Sequence, residues 1–215
     1  MGTELDVYSD EYEWLSHSIA PKDTAPEYWR LTIGEGTCAK PYSSALLNIS
    51  AMSFGSLSAR AIEALNAGAA LGGFAHNTGE GSISKYHRSH GGDLIWELGS
   101  GYFGARQPDG NFDPDQFRDN AQHDQVKMVE VKLSQGAKPG KGGILPGGKV
   151  TSEIAQIRGI PEGKDSISPN RHPEIDSVGD ILDFIDHVRR TTGKPVGFKS
   201  VIGAYGWLIA LCWVF

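Results

Sequence analysis

The chain has 215 residues, 39% of them hydrophobic, which is enough to bury a core and excludes a wholly disordered protein. Its 20 basic and 26 acidic residues give a formal charge of −6, which argues against a nucleic-acid-binding surface and favours small-molecule chemistry. Only two cysteines occur, Cys38 and Cys212, with no paired spacing, which argues against a disulfide framework and fits a reducing, cytoplasmic setting.

Residues 1–45 are mixed in polarity and contain prolines, so we expect an irregular extension that packs on a core built by later residues. Trp14, Tyr28 and Trp29 are its expected anchors. The first eighteen residues are acidic and lack an apolar centre, so no signal peptide is expected. The chain has no run of eighteen apolar residues, so no membrane span is expected either.

Residues 46–215 contain four strand-like segments that alternate with helical patterns. The strands are expected at residues 46–52, 74–77, 126–133 and 195–202. The helices are expected at residues 58–71, 151–158 and 177–190, of which the last has a capping-box start at Ser177 and Asp180. The stretch between the second and third strands has neither pattern, so we expect a long irregular loop there.

Glycine-rich segments follow the expected strand ends, and the longest covers residues 134–150. Alternating strands and helices predict a parallel α/β fold, in which ligands bind at the carboxyl ends of the strands. We therefore expect these loops to converge on one site. Four strand–helix units, where a closed barrel needs eight, indicate roughly the first half of a (β/α)8 TIM-type barrel.

Four of these segments carry residues typical of one enzyme family. They are "SAMSFGSLS" (50–58), "FAHNTGEGSIS" (74–84), the glycine-rich loop with the helix up to Arg158, and "VGFKSVIG" (196–203). Together they resemble the FMN-binding synthase domain of glutamate synthases, above all the short relatives that lack the glutaminase domain. The resemblance runs from about Glu13 to about Gly203, and it implies the (β/α)8 barrel of that family.

The resemblance also implies a flavin site. The matching positions are Ala51, Met52, Ser53, Asn77, Thr78, Lys132 and Lys199. Lys199 would lie near the polar edge of the ring, where a cation favours the anionic reduced form, and Lys132 is a second candidate for the same place. From the residues alone, segment 50–58 also fits a buried strand followed by a serine-capped helix, and the Asn-Thr-Gly sequence also fits a simple turn.

Three further residues match the family's substrate site. Lys138 and Arg158 would hold the two carboxylates of 2-oxoglutarate or a related 2-oxo acid, because a guanidinium grips a carboxylate with two hydrogen bonds and a lysine adds a point charge. Glu80 would orient the substrate or carry protons, so Glu80 and Lys138 are the expected catalytic residues. Ile144 stands where the larger glutamate synthases carry Gln, and an aliphatic side chain cannot hydrogen-bond a carboxylate. The identity of the acid is therefore open.

The activity implied by the resemblance is the reductive amination of a 2-oxo acid with a hydride from reduced FMN. The family's glutaminase cysteine has no counterpart, because the chain begins Met1-Gly2, so a partner would have to supply ammonia. The family's iron–sulfur cysteines and phosphate loop belong to the second half of the barrel and are absent here. We therefore expect the chain alone to be inactive, which a stoichiometric flavin spectrum would contradict. The electron donor is not indicated.

Two other hypotheses remain open at this stage. The chain could be a non-enzymatic anion-binding module or partner subunit that has lost the flavin, or a truncation product. The uncharged residues 207–215 fit truncation, because a terminal helix there would expose apolar surface. His76, His87 and His90 do not have a recognised metal-ligand spacing, so we expect loop histidines and no metal site.

Overall fold

The structure is a computed structural model, and it describes residues 6–13, 16, 18–23, 29–136, 141–201, 206 and 208–209. At its centre is a sheet of four parallel strands, whose order in the sheet follows their order in the chain. These strands are β3 His76–Asn77, β4 Leu94–Leu98, β5 Val126–Lys132 and β8 Val196–Lys199. The fold is thus mixed α/β, and the parallel sheet is compatible with part of an α/β barrel.

The remaining elements surround this sheet. Two short antiparallel pairs are β1 Arg30–Ile33 with β2 Tyr42–Ala45, and β6 Ile144–Leu145 with β7 Ser166–Ile167. The helices are α1 Ala59–Gly72, α2 Pro114–Ala121, α3 Ser152–Arg158 and α4 Val178–Thr192. None of the helices in the described ranges is long and apolar enough to cross a membrane.

Side chains alternate between the two faces of the sheet, and the two faces differ sharply in character. One face packs against α2 and α4 to form the main apolar core, which includes Trp96, Leu98, Val129, Val131, Phe117, Phe184 and Val188. The opposite face carries the charged residues Glu97, Glu130, Lys132 and Lys199. The charged residues therefore lie on one face of the sheet, and the apolar core covers the other face.

The expected helix ends on either side of the site are confirmed. Ser177 accepts a hydrogen bond from the Asp180 amide, and Asp180 accepts one from the Ser177 amide, which completes the capping box of α4. Thr151 caps α3 by accepting a hydrogen bond from the Ile154 amide, and the helix ends at Gly159, whose φ of 68° lies in the left-handed region that glycine tolerates. These local signals position Arg158 at the last residue of α3.

The expected buried strand at residues 46–52 is wrong. The second half of the segment lies beside β3 without forming a continuous strand, because Ile49 makes one parallel bridge to His76 and the Met52 amide donates to the Asn77 carbonyl. Leu46 and Leu47 are 67% and 78% exposed. The Leu46 amide donates to the carbonyl of Trp29, so the start of this segment continues the β1–β2 hairpin and does not enter the sheet.

The expected irregular loop between the second and third strands is also wrong, because it contains β4 and α2. Strand β4 was missed because the buried Glu97 interrupts its apolar sequence. Helix α2 was missed because it is short and largely polar, with only Phe117 and Ala121 buried. The parallel sheet therefore gains a central strand that the sequence pattern did not indicate.

The N-terminal segment is more regular than expected, since residues 30–45 form the β1–β2 hairpin. Trp29 is 58% exposed and is not an anchor, while Trp14 and Tyr28 lie outside the described residues. The hairpin loop does touch the main body, because the Lys40 amide donates to the carbonyl of Gly193. That contact lies just before β8.

Candidate functional site

A cluster of charged side chains occupies the carboxyl ends of the central strands. In the sheet register Glu97 is opposite Glu130, and Lys132 is opposite Lys199. The Lys199 ammonium donates to Glu97 Oε2 at 2.6 Å, and Lys132 Nζ lies 3.5 Å from Glu97 Oε1. Since the Glu97 side chain is only 1% exposed, the two lysines are its charge partners.

Glu80 joins this cluster from the loop after β3. Gln135 Nε2 donates to both Glu80 carboxylate oxygens, at 2.8 and 2.9 Å. Lys132 donates to Gln135 Oε1 at 3.0 Å and lies 3.7 Å from Glu80 Oε2. Gln135 therefore orients the carboxylate toward the lysine, and it connects the glycine-rich loop after β5 to the loop after β3.

Arg158 lies beside Glu80 and is almost fully buried, at 4% exposed. Its guanidinium donates to the Phe54 carbonyl and to Ser166 Oγ, both at 3.3 Å, and lies over the Phe103 ring at 5.2 Å. Burial lowers the pKa of Arg158, and the charge of Glu80 opposes that shift. The buried Nε has no hydrogen-bond partner among the described residues. A donor of this kind is available to a ligand.

A small cavity of about 30 Å³ separates these groups. It is lined by Ser53, Ser56, Glu80, Gly143, Ile144, Leu145, Arg158 and Ser168. Its polar lining combines a carboxylate, a guanidinium and three hydroxyl-bearing residues, so it can bind a group that carries both a negative charge and a proton donor. Ile144, the position that leaves the acid's identity open, lies on this wall.

The glycines around the cavity are required by close packing. A Cβ atom on Gly143 would lie 2.3 Å from Glu80 Oε1, and one on Gly142 would lie 1.5 Å from the Ser168 carbonyl oxygen. Gly79 has a φ of 65°, and a Cβ there would lie 2.8 Å from the Ser53 amide nitrogen. These glycines therefore let three loops approach one another at the site.

The residues expected to contact a flavin lie together at the end of β3. The Met52 amide donates to the Asn77 carbonyl at 3.1 Å, which places residues 51–53 beside the turn that contains Thr78. The Asn77 side-chain amide donates to Glu130, and Thr78 Oγ1 accepts from the Glu97 amide. These two side chains are thus engaged within the protein, whereas residues 51–53 are partly exposed.

Lys132 and Lys199 are cross-strand neighbours, while Lys138 lies outside the described residues. Sequence reasoning missed Glu97, Glu130 and Gln135, which hold the predicted residues in place. A signal for Gln135 was available, because it belongs to the glycine-rich loop that matched the family. Glu97 could have been found only with the register of β4, which brings a buried carboxylate next to two lysines.

The expectation of loop histidines holds for His87 and His90 but is wrong for His76, which lies on β3 and is fully buried. Neither ring nitrogen of His76 has a hydrogen-bond partner among the described residues. Burial and the nearby His87 lower the pKa of His76 to about 4. His87 accepts from the Ser84 amide and donates to the Met52 carbonyl, which connects its ring to segment 51–53. Within the described ranges, no group of three or more potential ligands could hold a metal.

Comparison with known proteins now decides the family. Residues 19–211 match the model described as the conserved region in glutamate synthase. The chain belongs to the glutamate synthase family. The motifs that carried the resemblance are those that meet at the charged cluster.

Three family members illustrate the relationship. The glutamate synthase large subunit-like protein YerD of Bacillus subtilis is 47% identical over 173 residues, which cover 80% of this chain and 33% of that protein. The archaeal glutamate synthase (NADPH) of Archaeoglobus fulgidus is 40% identical, over 70% of this chain and 27% of its own length. The archaeal-type enzyme (NADPH) of Thermotoga maritima is also 40% identical, over 69% and 27%. The chain thus spans about a third or less of these relatives.

Proposed function

We propose that this chain contributes the flavin-facing and substrate-facing loops of an FMN-dependent oxidoreductase that reductively aminates 2-oxoglutarate or a related 2-oxo acid. The observation that carries the proposal is the convergence of Glu80, Arg158, Lys132 and Lys199 at the carboxyl ends of parallel strands. Residues 46–215 would correspond to the first half of an FMN-binding barrel, with residues 1–45 as an extension packed on it.

The residues at this edge suit a flavin. Residues 51–53 are partly exposed backbone beside the Asn77 turn, which leaves room for a flat ring to approach. Lys199, whose side chain is 38% exposed, and Lys132 would provide positive charge at the polar edge of the ring. When bound, FMN would supply the hydride. The iron–sulfur cluster of the family would be held by residues that the chain does not contain.

The remaining side chains would bind and orient the acid. Arg158 would grip one carboxylate with its free Nε–H and an adjacent N–H, and Lys138 would hold the other. Glu80, oriented by Gln135, would accept hydrogen bonds from the incoming nitrogen and move a proton at its carboxylate oxygen. The apolar layer behind the sheet would limit access of water to these charges, which strengthens their interactions with a ligand.

Binding of 2-oxoglutarate and of FMN to the purified chain tests the proposal. Isothermal titration with the acid is expected to show binding that Arg158→Lys weakens about tenfold or more, because the lysine keeps the charge and loses the paired donors. Arg171→Lys is the matched control, since Arg171 pairs with Asp176 away from the cavity and should leave the affinity unchanged.

The two ligands distinguish the hypotheses. Binding of the acid together with a flavin absorption change supports the enzyme proposal, and Lys199→Met should then weaken flavin binding. Stoichiometric flavin binding would at the same time contradict the expected inactivity of the chain alone. Binding of the acid without flavin favours the anion-binding module. If neither ligand binds, or if Arg158→Lys has no effect on the acid, the assignment of this site is wrong. The inactivity of the chain by itself stays a prediction, to be checked by assaying glutamate formation with reduced FMN and ammonia.

A further inference from the structure

Two carboxyl groups face each other inside the charged cluster. Glu97 on β4 and Glu130 on β5 occupy opposite positions of neighbouring parallel strands, and both side chains point to the same face as Lys132. Glu97 is 1% exposed and Glu130 is half-buried. Their cross-strand register and shared face place the two carboxyl groups next to one another.

Such proximity favours a proton on one of the two groups. An ionised carboxylate has only acceptors, so two of them cannot hydrogen-bond unless one carries hydrogen. Two adjacent buried carboxylates also repel each other, which favours retention of a proton by one member of the pair. The pair is therefore expected to titrate as a unit in which the first ionisation is easy and the second is difficult.

The surroundings indicate which member keeps the proton. Glu97 contacts two ammonium groups, Lys199 at 2.6 Å and Lys132 at 3.5 Å, so its carboxyl group has two cationic partners. Glu130 accepts a hydrogen bond from the Asn77 amide at 2.8 Å but makes no ion pair within 4.0 Å among the described residues. Burial and the neighbouring Glu97 raise the pKa of Glu130, although Asn77 and the charge of Lys199 oppose that shift.

We propose that Glu97 and Glu130 hold one proton between them, that it resides on Glu130, and that it sets the charge of the site. With Glu130 neutral, the three cations Lys132, Lys199 and Arg158 face two carboxylates, Glu80 and Glu97, and the site is net positive. Ionisation of Glu130 would cancel that charge. A site with a net positive charge attracts an anionic ligand, so the proton on Glu130 favours binding of an anion to the cluster.

The side chains that surround Glu130 come from every neighbouring element. They are Asn77 of β3, Glu97 of β4 and Lys199 of β8, and the cluster behind them continues through Lys132, Gln135 and Glu80. Only Glu130 combines partial burial with the lack of a cationic contact. Glu130 is thus a positioning residue: in its neutral form it donates to Glu97 and leaves Glu97 free to hold both lysines.

Carbon-13 NMR of glutamate-labelled protein tests the proposal directly. The Cδ shift of Glu130, assigned by its absence in Glu130→Gln, is followed against pH in the full chain without flavin or 2-oxo acid. The expected midpoint lies above the ordinary glutamate value, and in Glu97→Gln it moves to lower pH because the like charge is removed. Since no ligand is present, this result does not depend on whether the proposed function is correct.

A control variant distinguishes an effect on the Glu97–Glu130 pair from a general effect of removing a carboxylate. Glu63→Gln, which removes a partly exposed carboxylate that pairs with Arg60 on α1, should leave the Glu130 titration unchanged. A Glu130 midpoint at or below the ordinary value, or one that Glu97→Gln leaves in place, would overturn the proposal. If Glu97→Gln does not fold, urea unfolding of the wild type and of Glu130→Gln across a range of pH tests the proposal instead. The stability of the wild type should decline relative to Glu130→Gln as pH rises through the raised pKa, and equal pH slopes would refute a shared proton.

Discussion

Lys199 and Glu97 form a 2.6 Å ion pair although they are 102 residues apart in the chain. They belong to β8 and β4, which are separated in the sheet by β5, so the pair reaches across the central strand. Its carboxylate is 1% exposed. We therefore expect this contact to be one of the strongest constraints on the geometry of the site.

Replacing Lys199 with Met should destabilise the protein by about 3 kcal/mol, because it leaves the buried Glu97 carboxylate with only Lys132 as a partner. Lys85→Met is a matched control. Lys85 pairs with Glu153 at 2.8 Å, but the side chains are 71% and 36% exposed, so a loss below about 1 kcal/mol is expected. Urea denaturation of both variants measures the difference, and equal losses would show that burial of Glu97 does not matter.

Gly142→Ala should distort the glycine-rich loop, because its Cβ would lie 1.5 Å from the Ser168 carbonyl oxygen, and backbone must move to relieve the overlap. A loss of about 2 kcal/mol in the free energy of unfolding is expected. The same substitution at Gly148, where a Cβ meets nothing within 4 Å, is the control and should be close to neutral. Thermal unfolding followed by circular dichroism would check this, and a neutral Gly142→Ala would contradict the close approach.

Acidification should destabilise the protein through His76. Its pKa is lowered to about 4 in the folded state. Between pH 6.5 and 4, His76 therefore binds a proton in the unfolded chain but stays neutral in the folded chain. Stability is therefore fully present above pH 6.5 and lost as pH falls, by at most about 3 kcal/mol. His76→Leu should flatten this part of the pH profile. His90→Leu, at an exposed position, should retain the wild-type slope, and an unchanged slope in His76→Leu would exclude the effect.

Ile144→Gln should strengthen binding of 2-oxoglutarate, since an amide on the cavity wall can donate to a carboxylate. One added hydrogen bond corresponds to about twofold to tenfold in affinity. Ile167→Gln is the control, because Ile167 is the cross-strand partner of Ile144, is similarly exposed, at 59% against 56%, and does not line the cavity. Isothermal titration would measure both, and an equal response would mean that the acid binds elsewhere.

Much of the local structure was predictable because it depends on residues close together in the chain. The caps of α3 and α4, the left-handed glycines that end them, and strand β5 follow from spacings within about fifteen residues. The family motifs likewise indicated Glu80, Arg158, Lys132 and Lys199, whose roles remain proposals. The sequence by itself thus determined the family, the helix ends and most of the charged residues at the site.

Tertiary structure decided which of those charges meet. The sequence pattern did not predict strand β4, because Glu97 interrupts its apolar residues. A carboxylate can be buried at that position only because Lys199 and Lys132, on other strands, lie beside it. Leu46 and Leu47, at the start of the segment expected as a strand, are apolar yet exposed, because a hairpin hydrogen bond joins Leu46 to Trp29 and not to the sheet. Burial of a charge depends on partners distant in the chain, and their positions follow from strand register, which the local sequence does not encode.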